Sequence, residues 1–501
     1  MHKKVTVFLF IFLLTFSISR ADWISVAPGV DYSSYTIAGP VRVFATRMSR
    51  ASTNMYIDTC LGQGRLRSYY NTEKVSSMAS RYNDSISYWG SITSDTKYWG
   101  NRAQVVAAIN GDFFDLGGTG DATNGVIHSG WFCKSFSGQT YPKGNGFVWK
   151  SDRTCVLAGY IAGEDTTNLV IITSVGSTTI SHVNRSRGTN ELILYTPQYA
   201  ERTYTDNTGT EVLVHMTQPT LIYPTTTVYY SIGTILQVNK SQGSTMIPFD
   251  GVVLSASGTK TTWLNQCSPG QEVKIQLHLK VSRYTGKIPA QDWTRAYSFV
   301  GGQYYCVISS QVPTTDWSTT SSLVTTRHPR TCVAYNSTYI YFVIADGRTS
   351  NSIGMTIPEL GYFCRDTLSA EFAVNLDGGG SSALWVNGQI KNHPSSGSER
   401  SDANGLMMVN VVPMSKSTTF YTGKPIYLMS GKQIRSGPGT NFGVVTTSSM
   451  IQGGTIGAHA LNGIYAKGKN WWYLNLNGLE GWAAETDLTQ IPIQLLDFEL
   501  N

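Results

Sequence analysis

Apolar and polar positions alternate along this chain in short runs rather than in helical stretches. Residues 105–109, 192–195, 211–215, 252–255, 273–279 and 339–345 are rich in β-branched and aromatic side chains and are of strand length. Turn signals such as Asp206-Asn207-Thr208-Gly209 and Ser257-Gly258 separate such runs. Helical spacing is confined to two places. One is 73–87. The other follows Thr356-Ile357-Pro358-Glu359, a capping box with proline in the first turn, after which Leu360, Phe363, Cys364 and Leu368 share one apolar face. The pattern predicts an α+β domain dominated by sheet over 22–413.

A polar stretch, 414–424, reads as a linker, and a small all-β unit is expected over 425–492. Trp472, Leu474 and Leu476 alternate on one strand face, and Asn477-Gly478 closes a hairpin. The succession of Arg435-Ser436-Gly437-Pro438-Gly439, Gly453-Gly454, Trp471-Trp472-Tyr473 and Gly481-Trp482 resembles bacterial SH3-like domains. That resemblance implies a barrel that binds cell-wall or glycan material or docks on a partner, with Tyr465, Trp471, Tyr473 and Trp482 as aromatic candidates. A packing module without a ligand is the competing reading.

The start of the chain changes the picture of compartment. Lys3 and Lys4 precede an apolar run, 5–16, and small residues follow, which is the pattern of a signal peptide over 1–21. Cleavage before Asp22 would remove Lys3, Lys4 and Arg20 and take the formal charge from +6 to +3. The run is shorter than the ~20 residues that span a bilayer, so a secreted or cell-envelope protein without stable membrane insertion is expected. In an oxidising compartment the seven cysteines allow up to three disulfides and one leftover thiol. Charged residues are only 14% of the chain and the basic ones are not clustered, which argues against nucleic acid as a partner.

The candidate chemistry lies at glycine-rich strand ends. Asp377-Gly378-Gly379-Gly380-Ser381 follows an apolar strand, so its amides can form an anion-holding nest beside a carboxylate. Alone, the motif reads first as a tight hairpin turn that Asp377 caps, since Asp and Gly dominate turns. Asn110-Gly111-Asp112, Arg330-Thr331, Asp346-Gly347-Arg348 and Glu399-Arg400 repeat the arrangement at other strand ends, and arginine is the natural partner of phosphate. Zinc-helix, P-loop and nucleophile-elbow motifs are absent from the sequence. Asp112, Asp115, Asp346 and Asp377 are the oxygen ligands a calcium ion would find, without the spacing of a calcium loop; no cofactor is expected.

Asn110-Gly111 with Phe113-Phe114, Gly146-Phe147, Arg330-Thr331, Ala345-Asp346-Gly347, Gly354, Asn375 through Ser381, and Arg400 together resemble the phosphodiester glycosidase family. Two positions depart from it: Asp112 and Ala334 stand where glycine is usual. The resemblance implies hydrolysis of a sugar, N-acetylglucosamine foremost, joined through its anomeric carbon to a phosphodiester. In that reading Asp377 attacks the anomeric carbon or activates water, and Asp346 is the second carboxylate. Arg330, Arg400, Ser381 and the amides of Gly378, Gly379 and Gly380 hold the phosphate, while Asn110, Gly111, Thr331 and Asn375 orient the sugar or the loops. His328 is a neighbour of Arg330 rather than a base. The rival classes are a metal-assisted phosphodiesterase that cuts the P–O bond and a non-catalytic envelope protein that binds glycan.

Overall fold

The computed structural model describes residues 18–66, 71–89, 101–134, 145–158, 160–161, 169–172, 174–223, 229–279, 281–282, 292–313 and 321–490. Residues 1–17 of the expected signal peptide lie outside them. Among the described residues no helix is long and apolar enough to cross a membrane.

Sheet dominates, as the alternation predicts. The strands at Leu192–Tyr195 and Tyr339–Ala345 form over the expected residues, and those at Asn101–Asn110, Thr210–Met216, Gly251–Ala256 and Glu272–His278 form within a few residues of them. The helix expected over 73–87 stops at Val75–Tyr82. Asp84 takes a left-handed backbone (φ 57°), and Ile86–Ser87 turns into a strand against Asn101–Asn110. Lys74 supplies no side-chain cap to this helix, but Glu399, distant in sequence, accepts from Ser76 N at 2.9 Å and from Ser76 Oγ at 2.6 Å in the first turn. The second helix, Ile357–Tyr362, has the expected capping box and runs on as a π-turn over Phe363–Thr367.

Two sheets position the site. In one, Val41–Ser49, Tyr339–Ala345, Arg330–Tyr335 and Phe372–Asn375 lie side by side. In the other, Leu384–Val386, Asn101–Asn110, Asn404–Pro413 and Met55–Leu61 do. Their inward faces are buried: all six residues of Arg330–Tyr335 and the first six of Asn404–Pro413 are inaccessible. A nine-stranded sheet over 169–278 and a five-stranded sheet that includes Gly146–Lys150 and Ala296–Gly301 complete the large body.

An eight-stranded, antiparallel all-β unit over 425–489 follows. Its hairpin turns at Asn477-Gly478, both with positive φ (54° and 90°), and Trp472, Leu474 and Leu476 are buried in its own small core. Two expectations are corrected here. Trp471 and Trp482 form no exposed aromatic face: they are 3% and 1% exposed and belong, with Leu461 and Ile464, to the apolar core of the large body. The stretch 414–424 is not a free tether, since Phe420 is buried against Trp472 and Ser417 N donates to Gly463 O.

The disulfide expectation is corrected as well. All seven cysteines are buried free thiols; the Cys332 and Cys364 sulfurs are 3.9 Å apart and unbonded.

Candidate active site

The site forms where strand ends of the two positioning sheets meet. Asp377 N donates to Gly111 O (3.0 Å) and Asn110 Nδ2 to Asp377 O (2.8 Å), which ties the glycine turn to the end of Asn101–Asn110. Thr331 Oγ1 donates to Asn110 Oδ1 at 2.7 Å, and Gly379 N donates to Pro329 O at 2.9 Å, which ties the turn to the start of Arg330–Tyr335. Gly111 cannot carry a side chain, because a Cβ there would overlap Asn404 Oδ1 and approach Val300. Asn110, Gly111, Thr331 and the turn 377–381 therefore come together as the sequence suggests, although distant along the chain, whereas Asn375 Nδ2 donates to Gln303 O at 3.2 Å.

At the centre, the Asp377 carboxylate accepts from Gly378 N (2.8 Å) and from Ser381 Oγ (2.7 Å). Burial raises its carboxyl above the usual value, and Ser381, Gly378, Arg400 and Arg348 pull it back. Arg400 Nη1 reaches Ser381 Oγ at 3.4 Å, and its guanidinium occupies the space a Cβ on Gly380 would need. Arg348 lies against Gly379, whose Cβ position is 3.1 Å from Nη1, and touches His328 Nδ1 at 3.2 Å. Among the described residues, neither guanidinium has a carboxylate within salt-bridge distance. Arg348 is also held at φ 63°, a strained backbone for a side chain of its kind.

The structure alters several expected roles. Arg330 is 1% exposed, and its guanidinium donates to the carbonyls of Met355 (2.8 Å), Leu323 (2.6 Å) and Thr326 (2.9 Å). It braces loops behind the turn and does not face the site as a free phosphate fork; burial lowers its guanidinium to about 10. Arg348, given no role by sequence reasoning, takes that position beside Arg400. The anion nest is largely self-occupied, because Gly378 N caps Asp377, Gly379 N bonds Pro329 O and Ser381 N bonds Gly378 O. Of these four amides only that of Gly380 has no partner among the described residues.

Asp346 is held by donors of its own. It accepts from Asn392 Nδ2 (3.1 Å), His393 N (3.1 Å) and His393 Nδ1 (3.2 Å), and so anchors the 392–393 loop. Asn392 Nδ2 also donates to Ser382 O, so Asp346 supports the turn from one side. The carboxyls that feel the charge of Asp377 are Asp112, read from the sequence as a calcium candidate, and Asp402, which sequence reasoning left aside. Asp112 is buried, accepts from Asn124 N (2.7 Å) and Nδ2 (3.1 Å), and is raised by burial to about 7. Asp402 is buried with neither oxygen hydrogen-bonded, and Asn375 Oδ1 and Asn404 Nδ2 are likewise buried without partners. The signal available in the sequence was the continuation Glu399-Arg400-Ser401-Asp402, where the acid trails the arginine by two positions.

The four calcium candidates do not share an ion: Asp115, for one, is spent on the Thr119 N–H of its own loop (2.8 Å). Among the described residues, ligand atoms approach closely enough for that only at His215, Asp250 and His459, which line a cavity of about 640 Å³ between the nine-stranded sheet and the C-terminal unit. There His459 Nε2 and His215 Nε2 lie 2.9 and 3.2 Å from Asp250 Oδ2. Leu461 N donates to His459 Nδ1 at 3.1 Å, which makes Nδ1 the lone-pair nitrogen and leaves Nε2 with the hydrogen. That arrangement suits a proton-bridged cluster; a metal needs the opposite tautomer.

Comparison with known proteins places the family signal on this region. A model of the phosphodiester glycosidase family matches residues 226–409, which contain Arg330, Asp346, Arg348, Asp377, Arg400 and Asp402 but not Asn110 to Asp112. No curated protein matches. Among solved structures, a hypothetical protein from Synechocystis aligns at 15% identity and a TM-score of 0.46, over 77% of this chain; the chain spans 63% of that protein's length. The catalytic domain of zebrafish N-acetylglucosamine-1-phosphodiester α-N-acetylglucosaminidase, auto-inhibited by its pro-peptide, aligns at 13% identity and a TM-score of 0.33, over 79% of this chain and 88% of that one.

Proposed function

We propose that this protein is a secreted hydrolase that removes N-acetylglucosamine, or a related sugar, from a sugar-1-phosphodiester. The observation that carries the reading is the pairing, at the turn 377–381, of one oriented carboxylate with two guanidinium groups that have no carboxylate partner among the described residues. A phosphodiester is a monoanion, and cleavage of its bond to an anomeric carbon releases a phosphomonoester, a good leaving group that gains negative charge, so the step calls for charge neutralisation more than for a strong acid. Arg400 and Arg348 supply that, with the Gly380 amide available to a phosphate oxygen. Asp377 is the nucleophile or the base for water, fixed in orientation by Gly378 N and Ser381 Oγ. The matched family supports the substrate class. The apolar run at the chain start supports export, and the C-terminal unit serves as a fused body that extends the surface toward wall or glycan material.

Hydrolysis of a GlcNAc-1-phosphodiester in ¹⁸O-labelled water tests the bond broken. Label is expected in the sugar; label in the phosphate would make the protein a phosphodiesterase. Asp377→Asn is expected to melt like the parent and to lose at least about a hundredfold in kcat, the scale of a positioned base or nucleophile. A folded variant with full turnover removes Asp377 from the mechanism.

A further inference from the structure

Asp402 lies on the short strand Ser401–Asp402, paired with Glu73–Lys74, and is 1% exposed. Its neighbouring carboxylates all have donors: Gly378 and Ser381 serve Asp377, Asn124 serves Asp112, and Ser76 serves Glu399. Neither oxygen of Asp402 has a donor in hydrogen-bond geometry, and Ser381, the hydroxyl nearest it, gives its proton to Asp377. An ionised carboxylate in that position loses its water without replacement, whereas a neutral carboxyl loses far less. The charged groups around it agree. Burial pushes the Asp402 carboxyl well above its usual range, and the charges of Asp377 and Glu399 add to that against Ser381 and Arg400. Glu73, across the strand pair, is already bound to Arg81 at 2.8 Å.

We propose that Asp402 carries a proton and acts as a positioning residue, keeping Arg400 free for the substrate's phosphate and Asp377 the lone anion of the turn. This rests on the phosphodiester glycosidase reading of the site. With Asp402 neutral, Arg348, Arg400 and Asp377 together present one net positive charge to a phosphodiester monoanion. Ionising Asp402 cancels it. An anion there also competes for Ser381, whose single hydroxyl proton goes to Asp377 Oδ2 at 2.7 Å; drawn toward Asp402, it no longer orients Asp377.

The first test needs no substrate. The infrared difference between the unliganded parent and Asp402→Asn at neutral pH is expected to contain a protonated-carboxyl band that shifts on ¹³C-aspartate labelling. Carboxylate bands alone overturn the proposal, and this holds even if the protein turns over no sugar phosphodiester. The second test uses a GlcNAc-1-phosphomethyl diester. KM of the parent is expected to rise about tenfold per pH unit on the alkaline side as one proton leaves, and Asp402→Asn to lack that rise. The same rise in the variant overturns the proposal. If Asp402→Asn does not fold, Asp402→Leu, also uncharged and of similar size, serves both comparisons.

Discussion

Ser381 has one hydroxyl proton, and where it points organises the turn. It orients Asp377, it is reached by Arg400, and it stands beside the buried Asp402. Arg400 and Arg348 are the residues through which binding can be separated from bond cleavage. A charge-assisted hydrogen bond contributes about 1.5–3 kcal/mol, so Arg400→Gln is expected to raise KM for a sugar phosphodiester about tenfold or more, and Arg348→Gln to do so less because it is more exposed. Steady-state kinetics at several salt concentrations check both. If KM is unmoved in the double variant, the phosphate lies elsewhere. Arg330→Gln differs in kind: it leaves three carbonyls unpaired behind the turn and is expected to lower the melting temperature first. The sequence could place an arginine beside Thr331 but could not say that its guanidinium turns toward carbonyls from other loops, because those loops arrive only on folding.

At the scale of elements, the strands read from the sequence were legible because a half-buried strand must alternate, and the chemistry of turns marks where it stops. The helix after Thr356 was legible for a local reason too: Thr356 Oγ1 accepts from Glu359 N at 3.2 Å and Glu359 Oε2 from Thr356 N at 2.9 Å, all within one turn. Thr356→Ala is expected to cost about 1 kcal/mol of stability, the usual worth of such a cap, in chemical denaturation, with little change in KM. The helix at 75–82 was over-read because its ends are set from outside. Asn83 Oδ1 is taken by Val105 N, and the first turn is capped by Glu399. Neither partner is visible in the local pattern.

For the whole molecule, the C-terminal unit keeps a small core of its own but joins the apolar core of the large body through Trp471 and Trp482, so it is no tethered module. Trp482 packs edge-on against Phe249 (5.6 Å) and His459 (4.7 Å), and Phe249 N donates to Ser436 O. The His215–Asp250–His459 cluster makes this junction sensitive to pH. The hydrogen bond to Asp250 raises His215 above the ordinary histidine value, so its contribution is complete below that value and fades as pH rises through the raised one. Burial alone would raise the Asp250 carboxyl, but the two imidazoles outweigh it and hold it well below the usual carboxylate range, so its share is lost only in strong acid. The parent is therefore expected to melt higher near pH 6 than near pH 8.5, by a margin that shrinks in His215→Gln; an unchanged margin would show the cluster to be inert. Added zinc is expected to leave both proteins' melting unchanged.

What the sequence determined by itself is what is local: the sheet-rich character, the capped helix, the Asn-Gly hairpin, and the glycine turn that carries Asp377. These follow from backbone preferences and from the period of burial, each settled within a few residues. The tertiary structure decided which charged groups are spent and which remain free. Arg330 and Asp346 became supports, Arg348 and Arg400 were left to face the turn, and Asp402 was buried without donors beside Asp377. Whether a charge is available depends on the partners that distant segments bring to it and on the water they remove, and neither is written in the residues next to it along the chain.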